Sequence, residues 1–296
     1  MKVVALGGGH GLAVTLTALR LLGVEPTAVV AVADDGGSSG RLRRDLGLLP
    51  PGDLRKALLA LADPAADVRE LFAYRFERGD LAGHNLGNLA LAALADLHGG
   101  FLEALAAAGS WLRVHGQVLP STLVPVRLRG MVDGAEVEGQ VAIGQARGRV
   151  ELVWLDPSRP AAVPAAVAAV RTAELVLLGP GSTFTSVVPN LLVPELGRAV
   201  AAASDRVVYV CNLEAQPGET SGFPPEGHLA AILAHCPELQ VATVLCQRPR
   251  DAAGAERELR AFAALGARVV HSELAEDDAP GRHDPSRLAA ALKELG

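Results

Sequence analysis

The sequence predicts an α/β protein built on a doubly wound, mainly parallel, Rossmann-like sheet with a β-rich insertion. Short apolar runs alternate with segments of helical periodicity along most of the 296 residues, and glycine-rich turns follow several of these runs. A valine-rich stretch without helical periodicity interrupts the alternation once. We therefore expect one α/β domain over residues 1–296, with the β-rich insertion at residues 113–156.

The N-terminal part of the chain starts the alternation. "KVVAL" predicts a buried strand that ends in glycines, and "LAVTLTALRLLG" predicts a helix that stops at Gly23. "TAVVAVA" predicts the next strand, and "DLRKALLALAD" predicts a helix with Asp53 as its N-cap. "HNLGNLALAALADLHG" and "FLEALAAAGSWL" predict two further helices before the insertion.

The insertion and the C-terminal half complete the pattern. Residues 113–156 contain the turn dipeptide Asp133-Gly134 and predict strands and hairpins without helices. After "AAVPAAVAAVRTA", a helix, each of the strands "ELVLL", "RVVYVC", "LQVATVLC" and "ARVVHSEL" precedes a helical segment, and "DPSRLAAALKELG" is the last. The acidic segment "ELAEDDAPGRHD" predicts a flexible, lid-like loop.

Composition and charge exclude several classes of function. The net charge is −6 and aromatic residues make up 3%, which argues against a nucleic-acid partner. The three cysteines lack metal-ligand spacing, and no uncharged apolar run reaches the length of about 20 residues that a membrane span needs. The N-terminus lacks the apolar stretch of a signal peptide, so we expect a cytoplasmic protein.

Four turns rich in Gly, Ser, Thr, Asn and acids follow predicted strands, where ligands of open parallel sheets bind. "GGGHG", at residues 7–11, offers backbone amides and a helix N-terminus to a phosphate. It does not match the dinucleotide fingerprint, because Leu12 stands at the third glycine position, so an NAD-linked oxidoreductase is the third alternative. Residue types alone indicate a phosphorylated, nucleotide-like ligand and specify no reaction.

The segment "VADDGGSSGRLR" places two acids at the end of the second strand. Asp34 and Asp35 are expected to contact a ribose or a magnesium ion, with Asp35 as the metal candidate. Ser38 and Ser39 would bind phosphate oxygens, while Arg41 and its neighbour Arg43 would balance the charge and hold the loop. The competing interpretation is that the acids cap the next turn and pair with these arginines.

The ordered motifs "GGGHGL", "VADDGGSSGRLR", "PPGDLR", "GHNLGN", "GPGSTFTSVVPNLLV" and "CNLEAQPGET" resemble the YvcK/CofD-like family. One branch of that family contains a magnesium-dependent 2-phospho-L-lactate transferase. The other contains YvcK-type gluconeogenesis factors, which affect cell shape and envelope growth and bind UDP-N-acetylglucosamine. "VADDGGSSGRLR" with "PPGDLR" resembles the second branch.

The resemblance implies a nucleotide-sugar-binding regulator without catalysis, linked to gluconeogenic growth and envelope precursor supply. It further implies a regulated enzyme partner such as glucosamine-6-phosphate synthase, and it is compatible with a homo-oligomer. The transferase is the alternative function that the resemblance implies, with magnesium as its cofactor.

The resemblance also implies a set of ligand-binding positions. Arg282 matches an arginine that contacts the sugar nucleotide, Phe262 occupies the position of a tyrosine, and His10 stands where threonine is usual. The complete set of expected ligand-binding residues is Gly7, Gly8, Gly9, His10, Gly11, Asp34, Asp35, Ser38, Ser39, Arg41, Asn85, Asn88, Gly181, Ser182, Asn212, Phe262 and Arg282.

Overall fold

The computed structural model describes residues 1–295 as an α/β fold with a seven-stranded parallel sheet and a separate three-stranded antiparallel sheet. The seven-stranded sheet has the order β10-β9-β8-β7-β1-β2-β3, and the second sheet has the order β5-β4-β6. The strands are β1 (Val3–Gly7), β2 (Thr27–Val30), β3 (Gln117–Pro120), β4 (Arg127–Val132), β5 (Ala135–Glu138), β6 (Val150–Asp156), β7 (Leu175–Leu178), β8 (Val207–Val210), β9 (Thr243–Gln247) and β10 (Arg268–Ser272).

Helices cover the parallel sheet, whose central strands are buried on both faces. In register, Ala5 of β1 pairs with Ala28 of β2 on one side and with Leu177 of β7 on the other, and all three are fully buried. The helices are α1 (Gly9–Leu21), α2 (Gly37–Leu46), α3 (Gly52–Leu61), α4 (Arg69–Ala73), α5 (Leu86–His98), α6 (Phe101–Trp111), α7 (Gln140–Gly144), α8 (Pro164–Thr172), α9 (Val188–Leu191), α10 (Pro194–Ala201), α11 (Pro225–His235), α12 (Ala252–Ala264) and α13 (Pro285–Leu295).

The strand order places the topological switch point of the sheet at β1. β1 lies between β2 and β7, so the first half of the chain builds the sheet outward in one direction and the second half in the other. Helix α1 packs against α3 and α13, while α8 packs against α10. A ligand crevice is expected outside the carboxyl ends of β1 and β7, where the two directions separate.

The predicted strands and helices of the parallel sheet are confirmed, and three local predictions are wrong. The "GGSSGRLR" segment, expected to be a loop, forms α2 over residues 37–46. Asp53 is not the N-cap of α3, because the helix starts at Gly52 and Asp53 lies in its first turn. The 113–156 stretch is not helix-free, since it contains the one-turn helix α7.

The β-rich stretch divides between the two sheets. β3 joins the parallel sheet beside β2, and only β4, β5 and β6 form the antiparallel sheet. The predicted turn at Asp133-Gly134 is confirmed: both residues have positive φ, and Val132 pairs with Ala135 across the hairpin. The antiparallel sheet therefore begins at residue 127, later than the boundary expected at residue 113.

Among residues 1–295 we find no helical segment with both the length and the apolar character that a membrane crossing requires.

Candidate functional site

Two glycine turns meet at the carboxyl ends of the central strands β1 and β7. A Cβ on Gly11 would lie 2.1 Å from the carbonyl oxygen of Pro180, so the first turn of α1 touches the backbone of the turn after β7. Gly181 has a φ of 141°, a conformation that disfavours side chains. Only glycine at these positions permits the two turns to approach this closely.

A cavity of about 790 Å³ opens beside this contact. Of the residues expected to bind a ligand, His10, Gly11, Gly181, Asn212 and Arg282 line it. Its wall also contains residues that the sequence did not single out, namely Thr17, Lys56, Arg69, Glu214, Gln216 and His283. The volume lies within the range of about 300–1,000 Å³ that is typical of small-molecule sites.

The cavity combines cations with an apolar wall. Lys56 Nζ lies 2.9 Å from Asp53 Oδ1, and Arg282 Nε lies 3.8 Å from Glu276 Oε2. Arg69, at the start of α4, adds a third cation. Side chains of α1 and α3, such as Val14 and Leu59, supply the apolar surface. This lining suits an anionic ligand that also carries an apolar or planar portion.

The N-terminus of α1 supplies the main backbone donors. Gly8 is the N-cap, Gly9 has a φ of +62°, and within the described chain no side chain caps this end of the helix. The first amides of a helix lack intrahelical acceptors, and the helix dipole is positive there. The turn after β1 can therefore donate hydrogen bonds to a phosphate group.

Asn212 holds the opposite turn in place. Its Nδ2 donates to the Gly181 carbonyl at 2.9 Å, and the Gly181 amide donates to its Oδ1 at 2.9 Å. His228 Nδ1 lies 3.4 Å from Asn212 Nδ2 and 2.8 Å from Thr183 Oγ1. Burial lowers the pKa of His228 to about 4, so this imidazole is neutral at pH 7. Asn212 is therefore a positioning residue for the turn.

A second buried histidine closes the same side of the cavity. His283 Nε2 donates to the carbonyl of Cys211 at 3.1 Å, and burial lowers its pKa to about 4. The segment after β10, expected to be a lid-like loop, carries Arg282 and His283 against the cavity wall. This contact fixes the base of that segment next to the end of β8.

Two acids lie at the base of the glycine turns. Asp53 Oδ2 lies 2.9 Å from where a Cβ on Gly8 would stand. The Gly36 amide donates to Asp34 Oδ1 at 2.9 Å. Burial, followed by the charge of Asp53, raises the pKa of Asp34 above its usual value. Asp53 reaches the cavity wall through its ion pair with Lys56, but neither Asp34 nor Asp53 lines the cavity, and Asp35, the expected metal candidate, does not line it either.

Asp35 and Arg41 bind other parts of the chain. Asp35 Oδ1 accepts a hydrogen bond of 3.0 Å from the Val141 amide in α7, and Arg41 Nη2 donates to the Ala82 carbonyl at 2.9 Å. Neither residue lines the 790 Å³ cavity. The competing interpretation, in which the acids cap the next turn, describes Asp34, which accepts from the Gly36 amide, and does not describe Asp35.

Four expected ligand residues form a buried layer behind the cavity. Ser39 Oγ accepts from the Gly52 amide at 3.0 Å, and Asn88 Nδ2 donates to Ser38 Oγ at 3.2 Å. Asn88 Oδ1 accepts from Arg55 Nε at 2.9 Å, and Asn85 is the N-cap of α5, where its side chain accepts from the Asn88 amide. These residues are buried and hold the starts of α3 and α5 together, outside the cavity lining.

Three further expected residues, Phe262, Ser182 and Gly7, lie outside the cavity lining and belong to the core or to the ends of elements. Phe262 is fully buried in the core on α12 and does not line the cavity, because α12 turns its apolar side inward. Ser182 starts the π-helical turn at Thr183–Val187. Gly7 ends β1, and its carbonyl accepts from Asn190 Nδ2 at 3.0 Å.

Within residues 1–295 no group of three or more His, Cys, Asp and Glu side chains is arranged to hold a metal ion. Asp34 and Asp53 provide two carboxylates, which is the number that magnesium commonly takes from a protein when substrate phosphates complete its shell. These two acids therefore fit magnesium only together with a phosphorylated ligand.

Comparisons with known proteins identify the family of this chain. The family model "CofD: 2-phospho-L-lactate transferase CofD" matches residues 3–284. A protein of Bacillus subtilis named "Gluconeogenesis factor" is 38% identical, over 99% of this chain and 98% of its own length. A Mycobacterium tuberculosis relative, also named as a gluconeogenesis factor, is 45% identical over 98% of this chain and 89% of its own.

The fold has a solved counterpart. A crystal structure of a UPF0052-family protein from Bacillus halodurans superposes with a TM-score of 0.91 at 36% identity, covering 99% of this chain and 98% of that one. The matched family model spans nearly all the described elements, and the relatives align over almost the full chain. The chain therefore belongs to the CofD family, within which it is similar to the proteins named gluconeogenesis factors.

Proposed function

We propose that this chain binds a nucleotide sugar of the UDP-N-acetylglucosamine type in the cavity at the ends of β1 and β7, and acts as a regulator without catalysis. The contact between Gly11 and Pro180 carries the proposal, because it brings the uncapped N-terminus of α1 and the turn after β7 together at the rim of one cation-lined cavity. In this role the chain is linked to gluconeogenic growth, envelope precursor supply and cell shape.

The diphosphate would lie at the N-terminus of α1. Amides of residues 9–11 would donate to one phosphate, and Lys56 and Arg282 would face the other from two sides. The apolar surface of Val14 and Leu59 would pack against the base. Asn212 would contribute by keeping the Gly181 turn in its binding conformation.

The names of the relatives support a regulatory role. Proteins named gluconeogenesis factors align with this chain over nearly its whole length, and the motif "VADDGGSSGRLR" resembles that branch. A regulator acts through a partner, and we propose an enzyme of amino-sugar synthesis such as glucosamine-6-phosphate synthase. A homo-oligomer and a cytoplasmic location belong to the same proposal.

Calorimetric titration tests the ligand. We expect UDP-N-acetylglucosamine to bind with 1:1 stoichiometry and more tightly than UMP, which lacks the second phosphate. Lys56→Ala should weaken binding about tenfold through loss of one charge-assisted contact. Lys293→Ala removes the same charge at an exposed position of α13 that does not line the cavity, and should leave the affinity unchanged.

Two results would contradict the nucleotide-sugar proposal. One is the absence of saturable binding by UDP-N-acetylglucosamine. The other is equal affinity of the Lys56→Ala and Lys293→Ala variants, which would move the ligand out of the cavity. Tighter binding of NAD than of any UDP compound would replace the proposal with the oxidoreductase reading.

The alternative function is a magnesium-dependent 2-phospho-L-lactate transferase, favoured by the family model and by the Asp34–Asp53 pair. When bound, magnesium would supply charge neutralisation for the phosphates, and Asp34 and Asp53 would hold it. The test is incubation with magnesium, a 2-phospholactyl nucleotide donor and a deazaflavin acceptor, followed by chromatography. Product formed by the natural chain and absent with Asp34→Asn would establish the transferase in place of the regulator.

A further inference from the structure

A second cavity, of about 890 Å³, lies between α2, the end of β2 and the antiparallel sheet. Its lining residues are all different from those of the first cavity. Part of its wall is apolar, with Leu128 and Pro157 on the side of the antiparallel sheet. A space of this size between two structural units can hold a small molecule.

Two arginines of α2 face this cavity without a carboxylate partner. Arg43 is half-buried and donates from Nη2 to the Val126 carbonyl. Neither Arg43 nor Arg44 lies within 4.0 Å of a carboxylate oxygen in residues 1–295, by contrast with the arginines of the sheet opposite. Both arginines lie in the last turn of α2, where the helix dipole favours positive charge. Within residues 1–295 the Arg43 side chain makes one hydrogen bond, and Arg44 is exposed.

The acids of the cavity wall bind other groups. Glu138 accepts from Arg127 at 3.2 Å and from Arg129 at 2.8 Å, and Asp156 lies 3.7 Å from Arg129. Asp35 accepts from the α7 backbone. None of these carboxylates forms an ion pair with the two α2 arginines, although the charges of Asp35 and Glu138 offset part of the lowering that burial causes in the pKa of Arg43. Each carboxylate keeps acceptor capacity for additional hydroxyl donors.

We propose that the second cavity binds a phosphorylated sugar or polyol, distinct from the ligand of the first cavity. Arg43 and Arg44 bind the phosphate group, because guanidinium groups match phosphate oxygens in a forked geometry. Asp35 and Asp156, across the cavity, accept hydrogen bonds from the hydroxyl groups. Arg127, which pairs with Glu138, also lines this cavity.

Isothermal titration of the full chain with D-glucose 6-phosphate tests this inference, with glucose and inorganic phosphate as partial probes. We expect saturable 1:1 binding of glucose 6-phosphate, at least about tenfold weaker binding of phosphate, and none of glucose. Arg44→Ala should weaken binding of glucose 6-phosphate about tenfold. Arg43→Lys keeps the charge but loses the forked geometry and should weaken it as well.

Two control variants locate the site. Arg147→Ala removes an exposed arginine of the insertion that does not line the cavity, and should bind like the natural chain. Lys56→Ala removes a cation from the first cavity. If this variant loses as much affinity for glucose 6-phosphate as Arg44→Ala does, the assignment to the second cavity is overturned.

The remaining outcomes also decide the proposal. Absence of binding, or phosphate binding as tight as glucose 6-phosphate, would overturn a sugar-phosphate site. This experiment is independent of the nucleotide-sugar titration, because the two ligands are different and Lys56→Ala is expected to weaken only nucleotide binding whereas Arg44→Ala is expected to weaken only sugar-phosphate binding. Either proposal can therefore fail while the other stands.

Discussion

At the scale of single residues, the contact between Gly11 and Pro180 decides whether the two halves of the sheet can share one site. The first turn of α1 reaches the backbone after β7 only because Gly11 has no side chain. The sequence showed a glycine-rich turn, which predicts phosphate binding, but it could not show that a second turn lies 2.1 Å from the missing Cβ. That information depends on strand order, which is a property of the fold.

We expect Gly11→Ala to destabilise the protein and to abolish nucleotide binding. The new methyl group would meet backbone atoms that cannot rotate away, and overpacking of this kind costs about 1–3 kcal/mol. The free energy of unfolding in urea, together with calorimetric titration, measures both effects. Gly144→Ala is the matched control, since no atom lies within 4 Å of its added Cβ, and stability equal in both variants would contradict the prediction.

Asp34 gives a prediction with a defined dependence on pH. Its folded pKa is raised by burial and by the charge of Asp53, so the folded state binds a proton more readily than the unfolded state. The destabilisation that comes from burying the Asp34 carboxylate is therefore absent below the unfolded pKa of about 3.9 and fully present above the folded pKa. Asp34→Asn should raise the free energy of unfolding at pH 7 and lose this advantage as the pH falls.

Urea denaturation of the natural chain and Asp34→Asn, from pH 3 to pH 8, measures this difference. Magnesium and nucleotide are left out, because either would repay the cost of burying the charge. A variant less stable than the natural chain at pH 7 would contradict the prediction and would indicate that the hydrogen bond from the Gly36 amide outweighs the cost of burial.

At the scale of elements, α2 is the clearest failure of sequence reasoning. "GSSGRLRRDL" contains residue types that disfavour helix interiors, so the pattern predicted a loop. The structure forms a helix there because its buried face, with Ser38, Ser39, Gly40 and Leu42, packs into the fold. Tertiary contacts of this kind override local propensity, and a single sequence does not report them.

Asp35, two residues before α2, connects this part of the chain to α7 through its hydrogen bond with the Val141 amide. This contact gives a prediction for α7. Asp35→Ala removes the acceptor for the Val141 amide, and amide hydrogen exchange in residues 140–144 should accelerate about tenfold as α7 opens more often. Nucleotide binding in the first cavity should not change, because Asp35 does not line it. The control is Glu151→Ala, which removes an exposed carboxylate from β6 of the antiparallel sheet.

Weaker nucleotide binding in Asp35→Ala would contradict this assignment. That result would favour the original expectation from sequence, in which Asp35 contacts the ligand or its metal. Exchange unchanged at residues 140–144 would show that α7 is held by other contacts.

At the scale of the whole molecule, hydrophobic periodicity predicted the parallel sheet correctly, because continuous apolar runs such as "KVVAL" and "ELVLL" are typical of strands buried on both faces. The expected site was predicted in part. Glycine turns were recognised, whereas Lys56 and Arg69 were missed because nothing in a helical stripe marks a lysine or an arginine as facing a cavity. Ser38 and Asn88 were expected at the ligand and instead form the layer behind it.

Acid sensitivity is a prediction for the whole fold. Burial lowers the pKa of five histidines spread across the molecule, listed here: His10, His84, His228, His235 and His283. For each, the unfolded state takes up a proton near pH 6.5 and the folded state does so only at lower pH, so stability is lost as the pH falls. For His228 and His283, with pKa values of about 4, the loss reaches roughly 3 kcal/mol each by pH 4.

Urea denaturation at pH 7, 5.5 and 4.5 measures this loss. The double variant His228→Gln with His283→Gln should show a flatter dependence on pH, while His98→Gln, at an exposed position, should follow the natural chain. Two buried acids, Asp34 and Glu219, have raised pKa values and oppose the trend at the lowest pH. Stability that rises between pH 7 and pH 5.5 would contradict the prediction.

The absence of a side chain at position 11 has a genetic consequence. In a glycine codon, every change at the first or second base encodes a residue with a Cβ or a stop signal, and only third-base changes are silent. Because the neighbouring backbone leaves no room for that carbon, a library of single-nucleotide variants selected for nucleotide binding should retain only synonymous codons at this position. Codon 144 should accept alanine in the same library.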